Sequence, residues 1–114
     1  MITLKTLPTA TAQEVFDQVS RHLLKQNAKS EIADEDCRYR HEDKKCAAGC
    51  LIGDNEYNPE IEGSRWCNIE LPCFSNNHMS LIGKLQRIHD VKDVCSWKEE
   101  LKRLAASENL KWNL

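Results

Sequence analysis

The sequence predicts a mainly α (α+β) fold. We expect one compact domain over residues 1–114, with three or more helices around a small two-stranded or irregular centre. Apolar residues recur at helical spacing in three separate stretches, and two of these open on a Ser or Thr followed three residues later by Glu. Between the first two lies a central segment, Cys37 to Gly63, whose polar and apolar residues alternate too regularly for a linker. No internal repeat, low-complexity run or linker breaks the chain, and 114 residues is the length of one domain.

The first helix is expected from Ala12 to Gln26. Thr11 and Glu14 form a capping box, and Val15, Phe16, Val19, Leu23 and Leu24 make the stripe that faces a core. An acidic run, Glu31 to Asp36, follows. Cys37-Arg-Tyr-Arg-His41 alternates and reads as a short strand. Glu42 to Lys45 reads as an exposed turn. Lys45 to Ile52 starts a second strand or forms a short helix; the helix is the favoured reading, with Cys46 and Cys50 on one face and Gly53 as its stop. Asp54 to Gly63, with Asn58-Pro59, is a loop. Arg65 to Pro72 alternates weakly. Met79, Leu81, Ile82, Leu85 and Ile88 mark a helix ending near Asp90. Ser96 and Glu99 form the second capping box, ahead of a stripe of Trp97, Leu101, Leu104 and Ala105. On this last helix Glu99 and Arg103 form an i,i+4 pair. Leu110 to Leu114 is a tail carrying Trp112.

Hydrophobic residues at 40% and charged residues at 30% suit a soluble globular chain. A net charge of −2 gives no global pull toward nucleic acid or anionic lipid. No apolar run is long enough to span a bilayer. The residues from Met1 to Pro8 lack the apolar core of a signal peptide, so a cytoplasm is the expected compartment. There, six cysteines are expected as thiols or metal ligands rather than disulfides.

Four chemistries compete for the centre. Zinc has soft donors in Cys37, Cys46, Cys50, Cys67, Cys73, His41, His78 and His89, with Cys46, Cys50, Cys67 and Cys73 the first set to test. Against this, no Cys-x-x-Cys knuckle occurs, and free cysteines equally suit a core. A nucleophilic Cys46 at a helix N-terminus is the second, aided by Lys44 and Lys45. His89 and Asp90 would be a poor relay for it, because neighbours on a helix point about 100° apart; His41 and His78 are the other bases. Anion binding is the third: Arg38 and Arg40 share a strand face beside Lys44 and Lys45, unless Glu31, Asp34, Glu35 and Asp36 neutralise them. Partner binding is the fourth, through Tyr57, Trp66 and Trp112 and the acidic loop with Asp54, Glu56, Glu60 and Glu62. The alternative is that these aromatics fold onto the core.

The central motifs resemble a family of small, mostly uncharacterised proteins encoded by bacteriophages and prophages. The resemblance lies in Glu14-Val-Phe16, His22-Leu-Leu24, Cys37-Arg-Tyr-Arg40, Lys45-Cys-Ala-Ala-Gly-Cys-Leu-Ile52, Glu56-Tyr-Asn-Pro-Glu-Ile-Glu-Gly63, Leu85-Gln-Arg-Ile-His-Asp90 and Trp97 to Leu101. This chain departs from it at Glu42-Asp43-Lys44, where relatives carry a glycine-containing turn, and at Gly53, where they often have proline. The resemblance implies a phage origin and the host cytoplasm, and transfers no catalytic residue. It points to a binding protein rather than an enzyme, one that neutralises a host factor of antiviral defence or its signalling nucleotide. Arg38, Arg40, Tyr57, Glu56, Glu60 and Glu62 are the expected contacts. A zinc-stabilised module and a small cysteine hydrolase are the alternatives, and the oligomeric state is left open.

Overall fold

Thr11 opens the first helix, α1 (Ala12–Gln26), as the sequence requires. Its hydroxyl accepts the Glu14 N–H at 3.1 Å, and the Glu14 carboxylate accepts the Thr11 N–H at 2.8 Å. Asn27 ends the helix in the left-handed region. The computed structural model describes residues 1–32, 37–69 and 77–114. The acidic run from Asp34 to Asp36, the end of the Arg65–Pro72 alternation and Cys73 lie outside the described residues.

Two further helices, α2 (Met79–Val91) and α3 (Trp97–Ser107), pack against α1 and against each other. Their stripes are the expected ones. Val15, Phe16, Val19 and Leu23 meet Leu81, Ile82 and Leu85, with Trp97 and Leu101 completing the core, all essentially without exposure. Leu4 and Leu7, from the segment before α1, enter the same core. Among the described residues no helix is long and apolar enough to cross a membrane.

The start of α3 corrects the sequence reading. Ser96 makes no side-chain cap hydrogen bond, because a 3₁₀ turn over Val94–Ser96 runs straight into the helix and gives Ser96 helical backbone angles. A cap residue needs extended angles to turn its oxygen onto the N–H groups ahead. On the surface of α3 the ion pairs are Arg103 with Glu100 and Lys102 with Glu99, not Glu99 with Arg103.

The centre is a two-stranded antiparallel hairpin, β1 (Arg40–His41) and β2 (Lys44–Lys45), with Arg40 opposite Lys45. The expected turn over Glu42–Lys45 is thus narrower: Glu42 and Asp43 make it, with Glu42 at φ 56°, and the lysines belong to a strand. The expected helix over Lys45–Ile52 reduces to a single 3₁₀ turn, Gly49–Leu51. Gly49 lies so close to β1 that a Cβ on it would sit 2.1 Å from the Tyr39 carbonyl oxygen. The chain therefore turns back onto the hairpin instead of rising along a helix axis. Further 3₁₀ turns follow at Pro59–Ile61 and Trp66–Asn68.

Candidate functional site

The central segment is held by side chains that bond to backbone. Glu62 accepts the N–H groups of Tyr39 at 2.9 Å and Arg40 at 3.1 Å, and also the Tyr57 hydroxyl. Arg40 donates to the Ile52 carbonyl at 2.7 Å, pairs with Asp54 at 2.9 Å and lies 5.0 Å from the centre of the Tyr57 ring. Burial, then the Glu62 carboxylate, pushes the Tyr57 hydroxyl up to about 12. Glu56 accepts from Gly53, Leu4 and Lys5, which stitches the N-terminal segment to the loop. Partial burial works against its charge, but these N–H groups outweigh it and hold the carboxyl below its usual range. So Arg40, Tyr57, Glu56 and Glu62 are committed to internal bonds, while Glu60 stands exposed. Trp66 is buried beside Tyr39, ring centres 6.2 Å apart, and Trp112 meets the edge of Phe16. These aromatics fold onto the core.

A second polar network runs behind the centre. His89 is fully buried and stacks on Trp97. Its Nε2 accepts the Ser30 N–H at 3.0 Å, so Nδ1 carries the proton and donates it to Asp90 at 2.7 Å. The separation of neighbouring helix positions does not keep this pair apart. Gln86 donates to the same Asp90 oxygen at 2.8 Å and accepts the Ala48 N–H at 2.8 Å. The Cys37 thiol also bonds to Asp90; burial first and that carboxylate second push it up to about 12.

The donor atoms of Cys37, His89 and Asp90 lie within 4.8 Å of one another, the one such triplet among the described residues. It differs from the expected set, because Cys46, Cys50 and Cys67 do not converge. It also suits a metal poorly. An ion on Nδ1 would displace the proton that Asp90 accepts, and the Ser30 N–H already occupies Nε2. The donor set is that of a hydrogen-bonded relay holding α2 to residues 30, 37 and 48.

Cys46, the candidate nucleophile, and its neighbour Cys50 are not poised as nucleophiles. Cys46 has no exposure and its thiol is driven well up by burial; Cys50 is pushed up to about 12 by the same cause. Cys67 and Cys95 are exposed free thiols. Of the candidate bases, His78 donates to the Ala10 carbonyl; His22, outside that set, donates to the Lys45 carbonyl.

What remains is a cleft of about 650 Å³ between α2 and the segments around Cys37 and Trp66. Its volume falls within the roughly 300–1,000 Å³ of small-molecule sites. Three arginines from three parts of the chain line it: Arg38 before β1, Arg65 before the Trp66 turn, and Arg87 on α2. Among the described residues that line the cleft the acid is Asp90, whose carboxylate accepts from His89 and Gln86. From α2 come Met79, Gly83, Gln86, Arg87, Asp90 and Val91, spaced as one helix face beside the core stripe. Of the six residues expected as contacts, Arg38 lines this cleft. Arg65, Arg87 and Gly83 were missed. A glycine inside a helical pattern was the signal available for them.

Comparisons with protein-family models, curated proteins and solved structures return no match. The resemblance to phage-encoded proteins rests on the sequence motifs alone.

Proposed function

We propose that this protein is a binding module that captures a phosphate-bearing small molecule in the cleft beside α2. In the phage setting implied by the resemblance, the ligand is a host signalling nucleotide, and capture withdraws it from the host's defence. The observation that carries this reading is the convergence of Arg38, Arg65 and Arg87 on one cleft. Guanidinium forks match phosphate oxygens, and donors placed on separate elements suit a ligand with more than one negative charge. Binding is favoured over cysteine hydrolysis because Cys37, Cys46 and Cys50 are thiols held in the protonated form.

Titration calorimetry with a cyclic dinucleotide, ADP and pyrophosphate tests it. At least one probe should bind, more weakly as salt rises. The Arg65→Ala/Arg87→Ala double variant should weaken it by at least about tenfold, since hydrogen bonds to charged groups contribute about 1.5–3 kcal/mol each. Binding of none of the three, or equal binding by the double variant, overturns the reading.

A further inference from the structure

Gly83 is the fifth residue of α2, inside the helix, where glycine is the least favourable residue after proline. Among the described residues nothing requires it there. Its φ is not in the left-handed region, and a Cβ built on it meets no atom of the described residues within 4 Å. Gly49 is the contrast, since the Tyr39 carbonyl leaves no room for a side chain. Gly83 is exposed, and it lines the cleft. Met79 lies one turn before it and Arg87 one turn after, both on the same cleft wall. The three residues make a notch: bare backbone between a polarisable thioether and a planar cation. Both flanking groups favour the face or edge of an aromatic ring, and a backbone without Cβ lets a flat group lie close.

We infer that the Met79–Gly83–Arg87 notch is the seat of a nucleobase. The remaining cleft arginines, Arg38 and Arg65, then face the phosphates. This inference rests on the proposed nucleotide-binding reading, adds to it the position of the base and the residue that admits it, and turns Arg87 from the phosphates to the base. Gly83 is a specificity-determining position: a Cβ there would meet none of the described residues of the free protein, and its absence leaves room for the ligand.

The test compares ADP with pyrophosphate, which share the phosphates and differ in the nucleoside, on wild type, Gly83→Ala and Gly83→Leu. Wild type should bind ADP at least about fivefold more tightly than pyrophosphate, the order of one ring contact. Gly83→Ala should lose most of that advantage and Gly83→Leu all of it, with pyrophosphate binding unchanged. Gly83→Ala should also melt about 4 °C higher, because alanine favours the helix; lost affinity in a more stable protein cannot come from misfolding. Wild-type binding of both probes with equal affinity, or undiminished ADP binding by both variants, overturns the inference and leaves the nucleotide-binding reading standing. If wild type binds neither probe nor the cyclic dinucleotide, that reading fails and the inference fails with it.

Discussion

The helical frame and the central segment are built on different principles. Residues of α1, α2 and α3 meet through apolar stripes in which any side chain of suitable size and spacing would serve. The segment from Cys37 to Ile69 has two strands of two residues each and several single 3₁₀ turns. It depends on particular polar atoms: Glu62 on the Tyr39 and Arg40 N–H groups, Gln26 on both backbone groups of Lys45, Gln86 on the Ala48 N–H. Short strands and turns leave many backbone groups without ladder partners, and side chains must supply them. An irregular centre is thus as specified as a helix, but by individual bonds. For the same reason Glu56 and Glu62, which look like contact residues in the sequence, are spent on backbone N–H groups, while Asp54 and Glu60 stay exposed.

The sharpest way to break the centre alone is Gly49→Ala. The new Cβ would lie against the Tyr39 backbone, so the 3₁₀ turn must leave β1, at a cost of about 3 kcal/mol or more. Chemical denaturation should show a lower midpoint, and hydrogen exchange should accelerate first at residues 39–51. Equal loss of protection across α1 and α3 at native-like stability would mean that the centre is not a separable unit.

Glu62→Ala comes next. It leaves the Tyr39 and Arg40 N–H groups and the Tyr57 hydroxyl without their acceptor, a loss of about 2–3 kcal/mol. Glu62→Gln keeps the shape and part of the acceptor capacity and should lose less. An unchanged denaturation midpoint in the Ala variant would reduce Glu62 to a surface residue.

Acid should act on the centre in two stages. Burial first, and the nearby Lys45 charge, hold His22 below its usual 6.5, while the Lys45 carbonyl that it donates to opposes them less strongly. The fold prefers the neutral ring, so its contribution is present above pH 6.5 and is lost as pH falls through the lower folded value. Glu56 is held below its usual 4.5, so its contribution is present above that pH and disappears on further acidification. Denaturation midpoints across pH 3–8 should therefore decline below about pH 6.5 and fall further in the carboxylate range. Glu56→Gln should flatten the second stage. Stability that rises on acidification would contradict both assignments.

The smallest expected effect is a gain. Glu42 takes a left-handed φ of 56° in the hairpin turn, where a Cβ is unfavourable. Glu42→Gly should stabilise by about 0.5 kcal/mol after glycine's own entropy cost, with no change in cleft affinity.

The helices were legible because each carries its own evidence. The Thr11–Glu14 box and the spacing of Val15, Phe16, Val19 and Leu23 place α1 within a residue, and Leu81 to Ile88 do the same for α2. Ser96 misled because a cap depends on backbone angles as well as residue type, and the preceding 3₁₀ turn set those angles. The site was legible only in part. Arg38 lines the cleft, but Arg40, Glu56 and Glu62 read as contacts because charge in a loop looks the same whether it faces solvent or a backbone N–H. Arg65 and Arg87 lie 22 positions apart in the sequence, and no local pattern joins them.

By itself, then, the sequence determined the mainly α class, the three helices and the apolar faces they bury, since helical periodicity is written in residues a few positions apart. Tertiary structure decided which carboxylates are spent on the chain's own backbone, which thiols are buried and how His89 holds its proton. It also decided that three distant arginines meet beside a bare stretch of α2. Each of these depends on groups far apart in the chain, and only folding sets the distances on which hydrogen bonds and charges act.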